Sequence, residues 1–537
     1  VHPCFGVPKM TQQVCIVQNL SVEKQNHRIF SSLNFSLAYG QLSGLIGRNG
    51  QGKSILLNTL NQPNQKIEHV SGQIHWHTPY AFLSQHDRTH ATTIAEALNI
   101  HEIINAFDRI ETGEPSPSDF EILENNWHIR EQWTEQLSAA NLPNDFQYLM
   151  ENLSEGQKTK LALCKLFSLK DHYLLLDEPS NHLDLESRDW FIQCLLKHPA
   201  GAFIASHDTN LLNHMQHIYA LNQFGIQHYL GDYAHYLKQN DLQIAALERK
   251  FSNEKSALQQ IKVQQNDTRL KADKRSTVGK STRGSQAKIL LDAKKNASEK
   301  SQKRLNIQQN NQTEHLQQSI AEHRQQIEVI KPQSFDFEFS SNKTGEILRI
   351  KQLKLSYGTQ IPIDFALNAQ DKIHLVGVNG IGKSTFLKTL TALKFNDQAE
   401  IVSKANIVYL DQTLCEIFPD PDPDLSILSH LNLINPEISA QEWRNQLGRL
   451  RIRLDKSLLR INQLSGGERL KVALLALSKS HHQVDLLLLD EPENHLDIES
   501  KDLLAAAIRA FKGAVILVSH DQHFVESCHI QSSFMIE

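Results

Sequence analysis

Two glycine-bearing octapeptides carry the most pointed chemistry in the sequence: GRNGQGKS at 47–54 and GVNGIGKS at 377–384. Glycines Gly47, Gly50 and Gly52, and their counterparts Gly377, Gly380 and Gly382, let successive backbone N–H groups converge on an anion, those of Asn49 and Asn379 among them. Lys53 and Lys383 bring a mobile positive charge to the outer phosphates of a nucleotide. The hydroxyls of Ser54 and Ser384 (followed in the second copy by Thr385) are hard oxygen donors for Mg2+. Each stretch follows an apolar run and opens helical text, SILLNTL or STFLKTL, which is the setting a phosphate loop requires. One such match in a long chain can arise by chance; two in the same setting do not.

Carboxylates of the right kind lie downstream. Asp177 and Asp490 close the apolar runs YLLLD and LLLLD, and Glu178 and Glu491 follow directly. A carboxylate at the C-terminal end of a buried parallel strand stands where such a sheet presents its ligand. The aspartates are placed to hold magnesium, directly or through water, and the glutamates to orient and polarise an attacking water. Acids that merely cap the next turn are the alternative, and a residue-by-residue match between the copies counts against it.

These residues belong to one module written twice. LSEGQ at 153–157 recurs as LSGGE at 464–468, DEPSNHLD at 177–184 as DEPENHLD at 490–497, and ASHD at 205–208 as VSHD at 518–521. Lys53 and Lys383 are 330 residues apart, Gln85 and Gln412 are 327, Ser154 and Ser465 are 311, and Glu178 and Glu491 are 313. The first copy therefore holds about 16 extra residues between Gln85 and Ser154, where ETGEPSPSD at 111–119 interrupts helical text. A short helical insertion near 98–148 is expected.

Apolar runs before each loop, before each acid pair and before each histidine read as buried parallel strands. The expected fold class is α/β, with two P-loop domains at 14–236 and 345–537, each with a helical subdomain. Between them, 237–333 is rich in Gln, Lys, Glu and Asn, with apolar residues in steps of three and four. That pattern predicts a helical hairpin, its break near Ser276–Ser285 where STVGKSTRGS gathers Gly, Ser and Thr. Strict heptads are not sustained, so a long parallel coiled coil is not expected.

The net charge of -5 hides a strong asymmetry. Between Asp241 and Ile330 there are 17 Lys or Arg against 10 Asp or Glu, and Lys271–Arg304 alone holds eleven basic and three acidic residues. Lys271, Lys274, Arg275, Lys280, Arg283 and Lys288 lie at or beside the expected tip. Such a cluster can neutralise phosphates of a nucleic acid, or can serve as a solvated face that keeps a spacer soluble. A chain of 537 residues is too long for one core. No apolar run approaches the length of a membrane span, and VHPCFGVPKM has no signal-peptide pattern, so a cytoplasmic protein is expected. Met10 is a candidate start, with Val1–Lys9 an addition ahead of it. The six cysteines (Cys4, Cys15, Cys164, Cys194, Cys415 and Cys528) form no C-x-x-C pair and read as thiols, several of them buried. The 27 histidines sit mostly alone in polar text and do not suggest a metal site.

Taken together, the loop, LS-x-G, DEP-x-NHLD and SHD motifs resemble the ATP-binding cassette superfamily. Two cassettes joined by a charged helical linker resemble its ABC-F branch, over about residues 14–537. The resemblance implies an ATPase using ATP and Mg2+, and it implies roles for further residues. Gln85 and Gln412 match the glutamine loop that senses the γ phosphate through magnesium and water. Ser154 with Gly156, and Ser465 with Gly466 and Gly467, match the signature that closes on the nucleotide of the opposite cassette. Asp184 and Asp497 match the loop that crosses the interface, and His207 and His520 the switch histidines at the γ phosphate. Each site would thus be composite: Lys53, Asp177, Glu178 and His207 with Ser465 and Gly467, and Lys383, Asp490, Glu491 and His520 with Ser154 and Gly156. ATP would act as glue within a single chain, which would work as a monomer.

The sequence departs from the family pattern at two places. Glu155 stands where the signature usually has glycine. Tyr357 fits the base-stacking position of the second site, whereas the first copy is non-aromatic there, near Lys24, with Phe30 a weak candidate and equally a core residue. Many members of the branch bind the ribosome and place the linker by the acceptor end of the peptidyl-site tRNA, either as translation factors or to dislodge antibiotics. The resemblance therefore implies ribosome, ribosomal RNA and tRNA as partners. A DNA-associated ATPase, an energising subunit for a membrane exporter, and a clamp without turnover are the competing classes. The third is disfavoured by intact Glu178 and Glu491.

Overall fold

The computed structural model describes residues 12–537 apart from 25–26, 63–69, 85–90, 182, 282–287, 334, 336, 338, 340–342, 379, 393–399, 404, 411–424, 453–455, 481–482 and 495. For residues 24, 27, 269, 272–281, 288–303, 305–306, 309, 392, 400 and 401 it describes the backbone alone. The chain divides into two compact units, Val1–Tyr233 with Gln333–Glu537, and Ala234–Pro332.

In the larger unit each copy is built on a sheet whose central strands are too apolar to face water on either side. Tyr173–Asp177 and Gly201–Ala205 are buried at every residue. They lie in a sheet ordered Tyr80–Leu83, Tyr173–Asp177, Gly201–Ala205, Gln41–Ile46, His217–Asn222 and Gly225–Leu230, parallel except for the last pair. The second copy repeats the order with Ile407–Leu410, Leu486–Asp490, Ala514–Val518, Lys372–Val376 and Ser532–Met535, all parallel. Strand alternation divides the leucines of Leu486–Asp490 between two cores. Leu487 and Leu489 pack with Trp443, Leu447 and Leu475, while Leu486 and Leu488 pack with Leu348, Phe386 and Leu390. Each copy also has a three-stranded antiparallel sheet, centred on Gln13–Lys24 or on Glu346–Leu353.

The interval that is longer in the first copy contains helices His101–Glu111, Pro117–Leu123 and Ile129–Ala139. Pro117 fits the first turn of its helix because the missing N–H has no partner to lose there. Asp119 accepts from Arg109 Nε at 3.1 Å and from the Ser116 N–H at 2.8 Å, tying two of the helices together. Arg109 comes first in holding the Asp119 carboxyl well below the usual range.

The smaller unit is a pair of long helices. Tyr233–Ser281 has 49 residues and Lys288–Ile330 has 43. They are bound side by side by polar contacts, with Glu254 accepting from Ser319 Oγ and His323 Nδ1, each at 2.9 Å. Lys331 Nζ pairs with Glu248 at 2.7 Å. The first helix runs on through Gly279 to Ser281, into the stretch Ser276–Ser285 where a break was expected. A single glycine costs a helix only about 1 kcal/mol, too little to end one already propagating over many turns. Residues 282–287 lie outside the described residues. No helix among the described residues is long and apolar enough to cross a membrane.

Candidate nucleotide sites

The two phosphate loops join a central strand to helices Lys53–Asn61 and Lys383–Ala392. Gly52 and Gly382 take φ of 93° and 106°, left-handed values that side chains resist. A Cβ on Gly52 would lie 2.5 Å from Ile29 Cγ2, so the loop also needs glycine for space. Each lysine reaches back onto its own loop. Lys53 Nζ donates to Gly47 O at 2.7 Å and Lys383 Nζ to Gly377 O at 2.8 Å. Burial lowers the pKa of both amines.

The first cleft has a volume of about 400 Å³ and places Lys53, Ser54, Glu178 and His207 against Ser465 of the other copy. The second, about 350 Å³, places Lys383, Ser384, Thr385, Glu491 and His520 against Ser154, Glu155 and Gly156. Both serines begin helices, Glu155–Ser168 and Gly466–Ser478, through reciprocal capping. Ser154 Oγ accepts from the Gln157 N–H at 3.2 Å and Ser465 Oγ from the Glu468 N–H at 3.4 Å. A helix N-terminus aimed into a cleft offers N–H groups and a partial positive charge to an anion. Glu155, the departure in the first signature, is exposed in that opening turn and pairs with Lys158 at 2.9 Å.

Glu178 and Glu491 have φ of 51° and 47°, a conformation that costs a non-glycine residue on the order of 1 kcal/mol. The fold imposes it through the Glu178 N–H bond to Ala205 O and the Glu491 N–H bond to Val518 O, each 2.9 Å. The Glu178 carboxylate lies 3.5 Å from His207 Nε2 and that of Glu491 3.4 Å from His520 Nε2. Asp184 and Asp497 cap the helices that follow, each accepting a serine N–H at 2.9 Å. Asp497 also accepts the Asn49 N–H of the other copy's phosphate loop, at 2.9 Å. Asp177 is buried at the end of its strand. Asp490 takes the Tyr409 hydroxyl at 3.0 Å and a hydrogen bond from Ser384. A hydroxyl and a carboxylate held together at a phosphate loop fit magnesium shared with phosphates, since that ion is usually completed by substrate oxygens and water.

A family model described as "ABC transporter" matches residues 30–181 and 361–494, more than half of the chain. The chain belongs to the ABC transporter family. With two such cassettes in one polypeptide, it is an ATPase. Among its relatives, the "Putative ATP-binding protein YdiF" of Bacillus subtilis is 30% identical over 70% of this chain, a stretch that spans only 54% of YdiF. The "Ribosome protection protein VmlR" of Bacillus subtilis is 24% identical, covering 96% of this chain and 85% of that one. "ABC transporter F family member 4" of Dictyostelium discoideum is 26% identical over 94% of this chain and 43% of its own length. Of solved structures, one titled "RNase-L Inhibitor" shares the fold at a TM-score of 0.51, with 17% identity, over 95% of this chain and 86% of that one.

The two cassettes hold their sites differently. In the first, Lys53 Nζ donates to His207 Nε2 at 2.9 Å, and burial with that cation keeps the imidazole neutral, its pKa well below the usual value. Burial pushes Glu178 up to about 7 against the pull of Lys53. In the second, His520 Nε2 lies 3.4 Å from Glu491, which it holds below the usual carboxylate range, and Asn494 Nδ2 donates to the same carboxylate at 2.6 Å. Tyr357 is 70% exposed and lines the second cleft. It is placed by Gly358, where a Cβ would lie 2.2 Å from Ile381 O of the phosphate loop. Phe30, by contrast, is 1% exposed in the core under the first loop and is no stacking platform. Gly467 is buried, with a Cβ there only 2.8 Å from Ser500 Oγ. Gln85, Gln412 and Asn379 lie outside the described residues, as do Cys4, Cys415 and the Lys24 side chain.

Several residues at the clefts escaped the sequence reading. Arg188 donates to Leu183 O at 3.1 Å and reaches His520 O of the other cassette at 3.5 Å. Lys501, its counterpart 313 residues on, donates to Asp521 at 3.0 Å and reaches His207 O at 3.5 Å. Their shared basic character at the repeat offset was the signal available. Glu493 replaces Ser180 of the first copy and lines the first cleft; the comparison of the two boxes would have flagged it.

Proposed function

We propose that this ATPase is a two-site clamp that acts on the ribosome. The observation that carries the clamp is that each cleft joins a phosphate loop of one cassette to a signature serine of the other. Nucleotide held by Lys53 or Lys383 would meet N–H groups of the opposite helix, and its binding would draw the cassettes together within one molecule. Asp177 with Ser54, and Asp490 with Ser384, would hold magnesium, with Gln85 and Gln412 beside them as the family resemblance implies. Bound there, the metal supplies charge neutralisation at the outer phosphates. Glu178 and Glu491 orient the attacking water and accept its proton. His207 and His520 contact the γ phosphate, and hydrolysis removes that contact and weakens closure. Tyr357 stacks the base at the second site only.

The relative named as a ribosome protection protein aligns with nearly the whole chain, which supports a ribosomal partner. The excess of basic residues in Lys271–Arg304 supports contact with ribosomal RNA or with peptidyl-site tRNA through phosphates. Within this reading the protein, in the cytoplasm, serves translation as a factor or by protecting the ribosome from an antibiotic. Co-sedimentation of the Glu178→Gln, Glu491→Gln protein with purified bacterial ribosomes, with and without ATP, is the test. ATP-dependent pelleting is the expected result; absence of pelleting by a protein that binds ATP would remove the ribosome from the proposal.

A further inference from the structure

One contact between the cassettes has, among the described residues, no equivalent at the other site. Arg48, the second residue of the first phosphate loop, reaches Glu499 of the other cassette, with Nε 2.5 Å from Oε2 and Nη2 3.5 Å from Oε1. Glu499 stands in the first turn of the helix Ile498–Ala510, its side chain 11% exposed. The same carboxylate accepts from Arg451 Nη1 at 2.8 Å and from the backbone N–H of Gln333 at 2.5 Å. Gln333 is the first residue after the helical unit, and its side-chain Nε2 donates to Arg449 O at 2.9 Å. Next to Arg48, the Asn49 N–H is held by Asp497. Two consecutive residues of the first loop are thus fixed by acids of the opposite cassette.

The second site is built otherwise. Val378 occupies the place of Arg48 and is 72% exposed. Glu186, the counterpart of Glu499, accepts from Asn141 Nδ2 at 2.9 Å. The basic surroundings of Glu499 are dense. Burial lowers the pKa of Lys471, Glu499 and Asp497 oppose that, and Arg451 and Arg48 reinforce it. Removing the Glu499 charge would leave these cations close together and half-buried without their counter-charge.

We propose that Glu499 is a positioning residue that ties the first phosphate loop to the exit of the helical unit, so that ATP affinity at the first site alone depends on where Gln333 is held. The proposal rests on the reading of Lys53 and Lys383 as nucleotide-binding. By reciprocity, ATP in the first site must bias Gln333 toward its bound position by the same factor.

Titration of the full chain with fluorescent mant-ATP tests this, with Lys383→Ala isolating the first site and Lys53→Ala the second. Glu499→Gln is expected to weaken the first site by about ten-fold and the second by less than about two-fold. Arg48→Val, which installs the side chain the second loop already carries, should reproduce the loss if Glu499→Gln folds poorly. Arg48→Lys, keeping the charge without the planar fork, should recover part of it. Gln333→Pro removes the backbone N–H while leaving both ion pairs, and should weaken the first site by about three-fold; Gln333→Ala keeps the N–H and should do less. Equal losses at both sites, or none at the first, overturn the proposal, and equal effects of Pro and Ala at position 333 overturn the Gln333 connection. Binding that survives Lys53→Ala combined with Lys383→Ala would strike the nucleotide-site reading instead.

Discussion

Glu493→Gln is expected to stabilise the ligand-free protein at pH 8 and to gain little at pH 5. Glu493 is 3% exposed; Ser519 Oγ donates to its Oε1, and its Oε2 has no hydrogen-bond partner among the described residues. Burial pushes the carboxyl from 4.5 up to about 7, with Ser519 and Lys501 opposing the rise and Asp521 adding to it. Between those values the folded chain keeps a proton that the unfolded chain releases. Stability therefore falls as pH climbs through the window from 4.5 to about 7, and the loss is complete above it. At about 1.4 kcal/mol for each tenfold change in proton affinity, this amounts to roughly 3–4 kcal/mol. Glutamine carries no charge at any pH, so the difference between variant and parent should grow by roughly 2–3 kcal/mol from pH 5 to pH 8. Acids held low elsewhere in the fold, such as Asp119 and Asp497, act in the opposite sense on both proteins and cancel in that difference. Urea unfolding at half-unit pH steps reads it, with Glu493→Ser, the residue of the first copy, as a second variant. A difference that is flat across the range, or that shrinks toward high pH, would refute the reasoning.

Glu178→Gln together with Glu491→Gln should lower the rate of phosphate release by at least about a hundred-fold while equilibrium ATP binding is kept, and retained multiple turnover would sink the role given to these residues. Tyr357→Ala should cost the second site about 1–3 kcal/mol of nucleotide affinity and leave the first unchanged, as read by mant-ATP titration in the Lys53→Ala and Lys383→Ala backgrounds. Changing Lys271, Lys274, Arg275 and Lys280 to Gln should weaken ribosome binding and flatten its salt dependence, by up to about 3 in the slope of log affinity against log salt. Unchanged binding across a salt titration would end that role for the tip.

Much of the fold was legible because the repeat showed each signal twice. Four-residue apolar runs ending in Asp-Glu admit little but a buried strand, and LSEGQ and LSGGE contain the S-x-x-Q and S-x-x-E pattern that caps a helix. The antiparallel sheets centred on Gln13–Lys24 and Glu346–Leu353 were not anticipated. Their residues carry no phosphate chemistry, and register shifts in both sheets, such as that between Ile350 and Leu353, blur the alternation a reader would count. The extent of the first long helix was misjudged because glycine and serine mark turns in short segments but are tolerated inside a long one, as at Gly279. Phe30 was ambiguous because an aromatic before a phosphate loop can stack a base or fill a core, and only its burial decides.

What the sequence determined by itself is the chemistry of each half: which lysine, serine, aspartate and glutamate lie along one strand–loop–helix path, since local spacing dictates that path. What only the tertiary structure decided is the pairing of groups hundreds of residues apart. It alone brings Asn49 to Asp497, Arg48 to Glu499 and Lys501 to the carbonyl of His207. It also separates two sites whose motifs read nearly alike, leaving Glu178 shifted up by burial and Glu491 held down by His520. Burial and charge are properties of the surroundings, and a residue's surroundings are fixed only when the whole chain has packed around it.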